Sequence, residues 1–568
     1  MSRPLKILLS LYFLLFLFGA FFSWGLVIPN LIFSQNSLWL NFQWWHWHLW
    51  ENYRPLLTIL FSVWIIALFT TYFSIIINLF KTNPKKIVPK QNPLSLKSLL
   101  LTLALLILPL LFSYNAFSAD VFNYIFNAKM VTTYHADPHT SVAADFPSDP
   151  MLTFMHNNHT AAPYGRAFTL LSLPWSLLGF GKFSLTWLSF RLAALLVFSL
   201  TIFLIIKIFQ NQSLLFSPIF SKTSVATQLK TPPPPTLTNI GTTNSSYLTN
   251  PTVCHAPAQK RDVADKIAAI SNKCRHDPAP GKYFLECGLD RDTADTIFSI
   301  SGKCRNDQSG TTSRHRLCPS IAMDKYKNDQ FQESPLLALL FLNPLFLLEP
   351  LMNFHNDLWM MSAVLASLFF LLLAKKTNSA NSISAPTTAR TKTTLASNKT
   401  KKLLFLLLSA LALFLSIFIK YSSLVFIPFW LFLIFNSPIS TLFNSLKSRP
   451  LKKIAKILLA FFETYFFDLL SLAFFLPLLL PRAQYFHPWY LLWSLVWIPF
   501  TRWPFTRYLL LAFSLSSLLR YFPFLWQGNY SGSVLFNQQL ITWLGALIIF
   551  IIFLLIHLRK NPRPYLSQ

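Results

Sequence analysis

Charge is what this chain has least of. Only 12% of its 568 residues are charged, where a soluble domain carries about 25%. Hydrophobic residues make up 53% and aromatics 16%, and many windows of about 18 or more residues are apolar enough to cross a bilayer. Period-two alternation is absent, which argues against a barrel and leaves the α-helix as the spanning element. Acidic residues are scarce as well, 20 against 48 Lys and Arg, for a net charge of +28. In a polytopic protein such an excess collects in inner-face loops and sets topology, so it does not read as nucleic-acid binding. The sequence has no Gly-rich phosphate loop and no Ser nucleophile elbow, which leaves ATP-driven transport without support. No small-residue cleavage site follows the 7–26 apolar run, so that run reads as a retained span.

Cysteine is confined to one segment, at Cys254, Cys274, Cys287, Cys304 and Cys318. No CxxC pair occurs there, which argues against a zinc ribbon. A Pro/Thr linker leads into this segment. It contains a repeat: RDVADKIAAISNKCRHD at 261–277 matches RDTADTIFSISGKCRND at 291–307, a period of 30 residues. Apolar residues at helical spacing make each copy an amphipathic helix ending at a Cys. The cysteine density suits an oxidising compartment, but the basic loops on either side favour the inner face. We read the insert as an accessory module.

The positive-inside rule orders the remainder. Lys81, Lys85, Lys86, Lys90 and Lys97 mark an inner loop. The Trp/His-rich stretch 30–53 fits an aromatic belt at the outer interface. Segment 168–178 is short and reads as interfacial or re-entrant. Arg191 lies near the outer end of a span, from which it could snorkel to the surface. The predicted fold is an all-α polytopic membrane protein of about twelve spans with both termini cytoplasmic. Its parts are an N-terminal membrane part (1–209) with a large outer loop (114–183), a linker with the Cys-rich insert (210–334), and a C-terminal membrane part (335–568).

The stretch 119–165 is the longest polar run before residue 210. A loop of about fifty residues is usually functional or disordered, and spaced aromatics argue against disorder. This topology brings four polar clusters to the outer face. They are Asp120 with Tyr124 and Lys129; Pro163-Tyr164-Gly165; His355-Asn356-Asp357; and the stretch from Arg482 through Gln484 to His487. Asp120 closely follows a span, where a carboxylate is costly unless solvated or paired. It reads either as a general base or cation ligand, or as a first-turn carboxylate favouring the helix dipole. Asp357 either caps the following helix or orients a sugar or cation. Lys420, Arg482, Gln484 and His487 form an electropositive group suited to a lipid phosphate, with snorkelling the plainer reading of the cations. His156 and His159 sit in a turn-like sequence that does not favour a metal pair. The only cofactor left open is a divalent cation.

These clusters, in this order, resemble those of a known family. DVFNYIFNAKMVTTYHADPH resembles the segment after an early span in multispanning glycosyltransferases of the GT-C class. APYGRAF at 162–168 is similar to their PYGPLF, NPLFLLEPLMNFHNDLWM at 343–360 to their GHND region, and QYFHPWYLLW at 484–493 to their C-terminal PWYLLW. The closest group is the polyprenol-phosphate-mannose-dependent mannosyltransferases of bacterial lipoglycan assembly. The resemblance covers most of the membrane part and none of 210–330. It departs where the family Gly of the first motif is Ala128 or Lys129, where PYGP ends in Arg166, and where the aromatic after the first motif's Pro is His139.

The resemblance implies an integral membrane glycosyltransferase of the cell envelope. It would move a sugar, mannose above all, from a polyprenyl-phosphate donor to a lipid-linked or envelope glycan acceptor on the outer face. Asp120 would be the catalytic base. Tyr124, Lys129, Tyr164, His355, Asn356, Asp357, Lys420, Arg482, Gln484 and His487 would bind substrate. The competing readings are a lipid-linked glycan flippase or other transporter, and a scaffold for the Cys-rich repeat. A transporter should show inverted repeats and mid-membrane charge. The membrane part has no repeat, but Glu463 and Asp468 fall inside an expected span.

Overall fold

A computed structural model describes residues 3–25, 36–80, 94–155, 157–215, 333–383, 392–445, 448–480, 486–529 and 531–560. The Cys-rich insert, His156, Arg482 and Gln484 lie outside these residues. The described residues form helices and no strands. Seven helices are long and apolar enough to cross a membrane: Arg3–Trp24, Arg54–Phe80, Phe183–Leu214, Asp357–Thr377, Asn398–Ile419, Pro504–Gln527 and Gly532–Arg559. An eighth would be the pair Arg449–Thr464 and Phe466–Leu479, bent by 71°.

The expected count of about twelve rests partly on short segments that take other forms. Leu96–Leu110 has only 15 residues. The 335–348 segment is two helices, Glu333–Phe341 and Pro344–Leu351, because Pro344 lacks an N–H and restricts the residue before it. The 489–499 segment is a series of short turns. Arg166–Leu177 is a 12-residue helix, too short to cross. The basic stretch before 457 is helical and belongs to Arg449–Thr464, whose Lys452, Lys453 and Lys456 share a strongly amphipathic helix. Such a helix suits a membrane interface.

Burial separates the centre from the rim. The apolar stretch of Asp357–Thr377 is 72% buried, but those of Asn398–Ile419 and Gly532–Arg559 are only 22% and 11% buried. The latter two expose rows of Leu, Ile and Phe, a surface that suits lipid. Asp357–Ile383 packs between Lys392–Ile419 and Phe183–Asn211. Small hydroxyls join the crossings: Thr201 and Ser362 lie 2.5 Å apart, and Ser367 and Ser409 lie 3.1 Å apart. Such residues let helices approach closely and hydrogen-bond without water.

The most deeply buried segment is 337–358. Asn343 caps its second helix, accepting from the Leu345 and Phe346 N–H groups at 3.0 and 3.4 Å. The helix break leaves carbonyls in need of donors. Tyr12 donates to the Leu342 carbonyl and Tyr72 to that of Leu339, each at 2.5 Å.

Arg191 departs from the sequence expectation. It does not snorkel but is 5% exposed. Its guanidinium donates to the carbonyls of Leu110, Leu111 and Ser113, at the end of a helix that carries Pro109 in its last turn. It also lies over the Trp187 and Phe354 rings at 4.3 and 4.8 Å. Asn115 extends this tie. It accepts from the Trp187 indole at 2.8 Å and donates to the Met352 carbonyl at 2.8 Å. The loop that leads to Asp120 is thereby fastened to the turn that carries His355. The Leu110 carbonyl also accepts from the Ser113 N–H and hydroxyl, so Arg191→Met strips the side-chain donor chiefly from the Leu111 and Ser113 carbonyls and should cost about 2 kcal/mol. Thermal unfolding in detergent checks this.

Glu463 and Asp468 are locally satisfied. Glu463 accepts from the Asn436 amide at 2.9 Å. Asp468 accepts from the Arg502 and Trp503 N–H groups at 2.9 and 3.0 Å, so it caps the Pro504–Leu519 helix from a neighbouring element. Both carboxylates thus have structural partners within the fold.

Candidate functional site

Asp120 opens the helix Asp120–Thr132. Its side chain retains 23% exposure, and the Tyr164 hydroxyl lies alongside. Burial raises its pKa above the ordinary carboxylate range. His355 and Lys420 pull it down and Asp357 pushes it up. The helix N-terminus favours a negative charge here, but desolvation is the larger effect.

His355 arrives on a strained turn. Phe354 takes φ +59°, a left-handed conformation that is rare for bulky residues and found where the surroundings enforce it. The Arg191 stack on the Phe354 ring is one such constraint. The His355 ring is fully buried, with Nδ1 3.6 Å from Asp120 Oδ2 and Nε2 3.3 Å from Glu349 Oε2. It stacks on Trp489 at 3.7 Å and 15°, and His487 stacks on the same indole at 4.4 Å and 4°. Burial pushes the His487 imidazole down to about 3, with Arg520, His355 and Lys420 adding to the effect. It is therefore neutral at physiological pH.

Asp357 begins the central span. Its Oδ1 accepts from Lys420 Nζ at 2.7 Å and from the Trp493 indole at 2.5 Å. Its Oδ2 is buried without a hydrogen-bond partner among the described residues, as are both polar atoms of the Asn356 amide. Lys420 Nζ also lies over Tyr490 at 4.5 Å and Trp493 at 5.2 Å.

Gly165 explains the Pro-Tyr-Gly stretch by close approach. Its N–H donates to the Ile419 carbonyl at 3.1 Å, and a Cβ there would fall 1.8 Å from the Phe418 carbonyl oxygen. Only glycine lets this strand of the loop lie against the chain just before Lys420. Tyr164 is thus placed by Asp120, and its ring meets Tyr124 edge-on at 4.9 Å.

The structure therefore brings together Asp120, Tyr124, Tyr164, His355, Asn356, Asp357, Lys420 and His487. It places Lys129 elsewhere. Lys129 pairs with Asp149 at 2.5 Å, and the Tyr134 hydroxyl donates to the same carboxylate at 2.8 Å. Asp149 Oδ1 also accepts from the Met151 N–H at 2.9 Å, so this cluster holds the loop's own fold. His139 reaches Thr169 at 3.1 Å. Arg482 and Gln484 fall outside the described residues. Sequence reasoning missed Glu349, Tyr490 and the two indoles, Trp489 and Trp493. The PWYLLW run was the available signal for the aromatics. Among the described residues, no three His, Cys, Asp or Glu side chains converge as a metal site.

An apolar groove lies near this cluster. Leu509, Phe513, Trp543, Leu547 and Phe550 line it. Phe486, next to His487, packs against Phe513 at 5.7 Å and Trp543 at 5.4 Å. Trp543 sits in a π-helical turn, Ile541–Gly545, a form frequent at functional sites.

Residues 17–214 match a family model described as the N-terminal domain of alpha-(1->6)-mannopyranosyltransferase. The match includes Asp120 and Tyr164 and agrees with the motif resemblance in supporting a mannosyltransferase of GT-C type. No curated protein and no solved structure matches the chain. The family domain and the apolar helices fit a membrane mannosyltransferase.

Proposed function

We propose that this protein transfers mannose from a polyprenyl-phosphate donor to a glycan or glycolipid acceptor at the outer face of the cell membrane, with Asp120 as the base. The observation that carries this reading is the juxtaposition of a carboxylate of raised pKa with a buried, incompletely satisfied polar pocket and a cation. Buried polar groups without partners are costly. A sugar supplies matching hydroxyls for the Asn356 amide and Asp357 Oδ2. Transfer needs a base for the acceptor hydroxyl and positive charge for the leaving phosphate, and Asp120 and Lys420 stand a few side chains apart for those roles. His487 extends the donor side in this reading, and Arg482 and Gln484 are proposed from sequence as further donors to the phosphate. The groove at Phe513 and Trp543 suits the polyprenyl tail, and neutral His487 meets the phosphate by hydrogen bonding. The acceptor enters over the 119–165 loop.

The test uses the full-length protein in membranes, with radiolabelled polyprenyl-phosphate mannose and lipid or glycan acceptors. Transfer of label to the acceptor is expected. A chain inert with every polyprenyl-phosphate sugar, but able to move a lipid-linked glycan between leaflets, sinks this reading in favour of the flippase.

A further inference from the structure

Glu349 is fully buried in a helix that is otherwise Pro, Leu and Phe. A buried acid costs more than an apolar residue of its size unless it is paired, and pairing often only breaks even. Each polar neighbour of this carboxylate among the described residues can be a donor. Asn353 Nδ2 reaches Oε2 at 3.0 Å, the Tyr521 hydroxyl reaches Oε1 at 3.2 Å, and His355 Nε2 lies 3.3 Å from Oε2. The other imidazole nitrogen faces Asp120 at 3.6 Å. Carboxylate, imidazole and carboxylate thus run from the half-open site to the buried centre. The ring that joins them is clamped by Trp489 at 3.7 Å.

We infer that Glu349 and His355 complete the base, Glu349 positioning the imidazole and the pair carrying the proton away from Asp120. This inference rests on the transferase reading above. In the step, the acceptor oxygen forms its bond to the anomeric carbon as its proton passes to Asp120. The bond from that carbon to the donor phosphate oxygen breaks, and the phosphate leaves with the electron pair. The proton then moves from Asp120 to His355 Nδ1, while Nε2 gives its own proton to Glu349; once product has left, the two shifts reverse and Asp120, whose side chain retains 23% exposure, passes the proton to water. The Asp120–His355 separation shortens to hydrogen-bond length on substrate binding, as contacts in free sites commonly do. Neither ring nitrogen of His355 makes a hydrogen bond to a described residue in the free site; in the relay Nε2–H closes on Glu349 as Nδ1 closes on Asp120, and that bond sets the tautomer in which Nδ1 is open towards Asp120. Lys420, Asp357 and His487 face the same space, and Arg520, Tyr164, Tyr490 and Tyr521 lie next to it. None of them lies between the two carboxylates in the way His355 does.

The experiment is steady-state transfer by the full chain in membranes for wild type, Asp120→Asn, Glu349→Gln, Glu349→Asp and His355→Ala. Glu349→Gln should lower kcat roughly tenfold or more, the scale on which an outer partner of a reacting group acts. KM for donor and acceptor should stay within about twofold, since Glu349 makes no substrate contact. The solvent deuterium effect on kcat should rise, and Glu349→Asp should recover part of the loss. His355→Ala should be rescued by added imidazole and not by 1-methylimidazole, which cannot accept on one nitrogen while releasing from the other. A structural role predicts no difference between the two imidazoles. If Glu349→Gln does not fold, the imidazole comparison decides alone, and equal rescue or none overturns the inference. Unchanged kcat in folded Glu349→Gln, with Asp120→Asn inactive, overturns the relay and leaves the transferase reading intact. A wild type inert with the donor overturns both.

Discussion

Asp120→Asn is expected to reduce mannosyl transfer by about a thousandfold, within the range by which positioned bases act, while the protein remains folded. The substitution isolates chemistry from structure. Asp120 lies in the first turn of its helix, where a negative charge is worth only about 0.3–1 kcal/mol through the dipole. Asparagine keeps the shape and removes a partly buried charge whose desolvation is unfavourable. Unfolding temperature should therefore change little. In wild type the carboxylate form is the active base, so activity is present above the Asp120 pKa and lost as pH falls through it. Because burial raises that pKa, the acid limb should lie above the range of an ordinary aspartate. Transfer assays across pH in membranes check both points. Near-full activity in Asp120→Asn would remove Asp120 from the chemistry without touching the membrane fold.

The parts of this site that were legible in the sequence are those where local composition carries the signal. Low charge and long apolar runs marked the membrane class. Polar breaks between apolar helices marked Asp120, Tyr164, His355, Asp357 and His487. Contacts between distant residues were not legible. Lys129 looked free for a phosphate, but its partner Asp149 comes twenty positions later in a loop without periodicity. Glu349 read as part of a polar break, and nothing local announces Tyr521, 172 residues further on. Arg191 had the position of a snorkelling residue, but the carbonyls it caps are about eighty residues earlier. The 71° bend after Thr464 has no Pro or Gly to signal it. Its companion is the capping of another helix by Asp468, which turns an apparent mid-span charge into a structural one. The span count overran because hydropathy sees apolar length and not the breaks at Asn343-Pro344 or the short turns after Pro488.

Lys420→Met should lower transfer about a hundredfold or more, the loss that follows removal of one group stabilising developing negative charge. Lys420 directly follows the last residue of Lys392–Ile419, where the helix C-terminus favours a cation. Its ammonium is shared between Asp357 and the faces of Tyr490 and Trp493. A cation held this way is preorganised at little further cost when a phosphate arrives. It also neutralises Asp357, whose side chain is almost completely buried, so a fall in activity from the single substitution has two explanations. Breaking a fully buried pair costs about 3–5 kcal/mol, and the 20% exposure of the Lys420 side chain makes this one cheaper. Combining Lys420→Met with Asp357→Asn separates the two. The double variant carries no uncompensated charge and retains an acceptor for the Trp493 indole, so its unfolding temperature should return towards wild type. Coupling between the two sites is read from the cycle of single and double variants. If Lys420 binds the phosphate, stability recovers and transfer stays far below that of Asp357→Asn alone, which keeps the ammonium. If transfer in the double variant matches that of Asp357→Asn alone, Lys420 serves only to neutralise Asp357, and the phosphate must be held by other cations. Lys420→Arg, which keeps the charge but changes its shape, should retain measurable transfer with a raised donor KM in the first case.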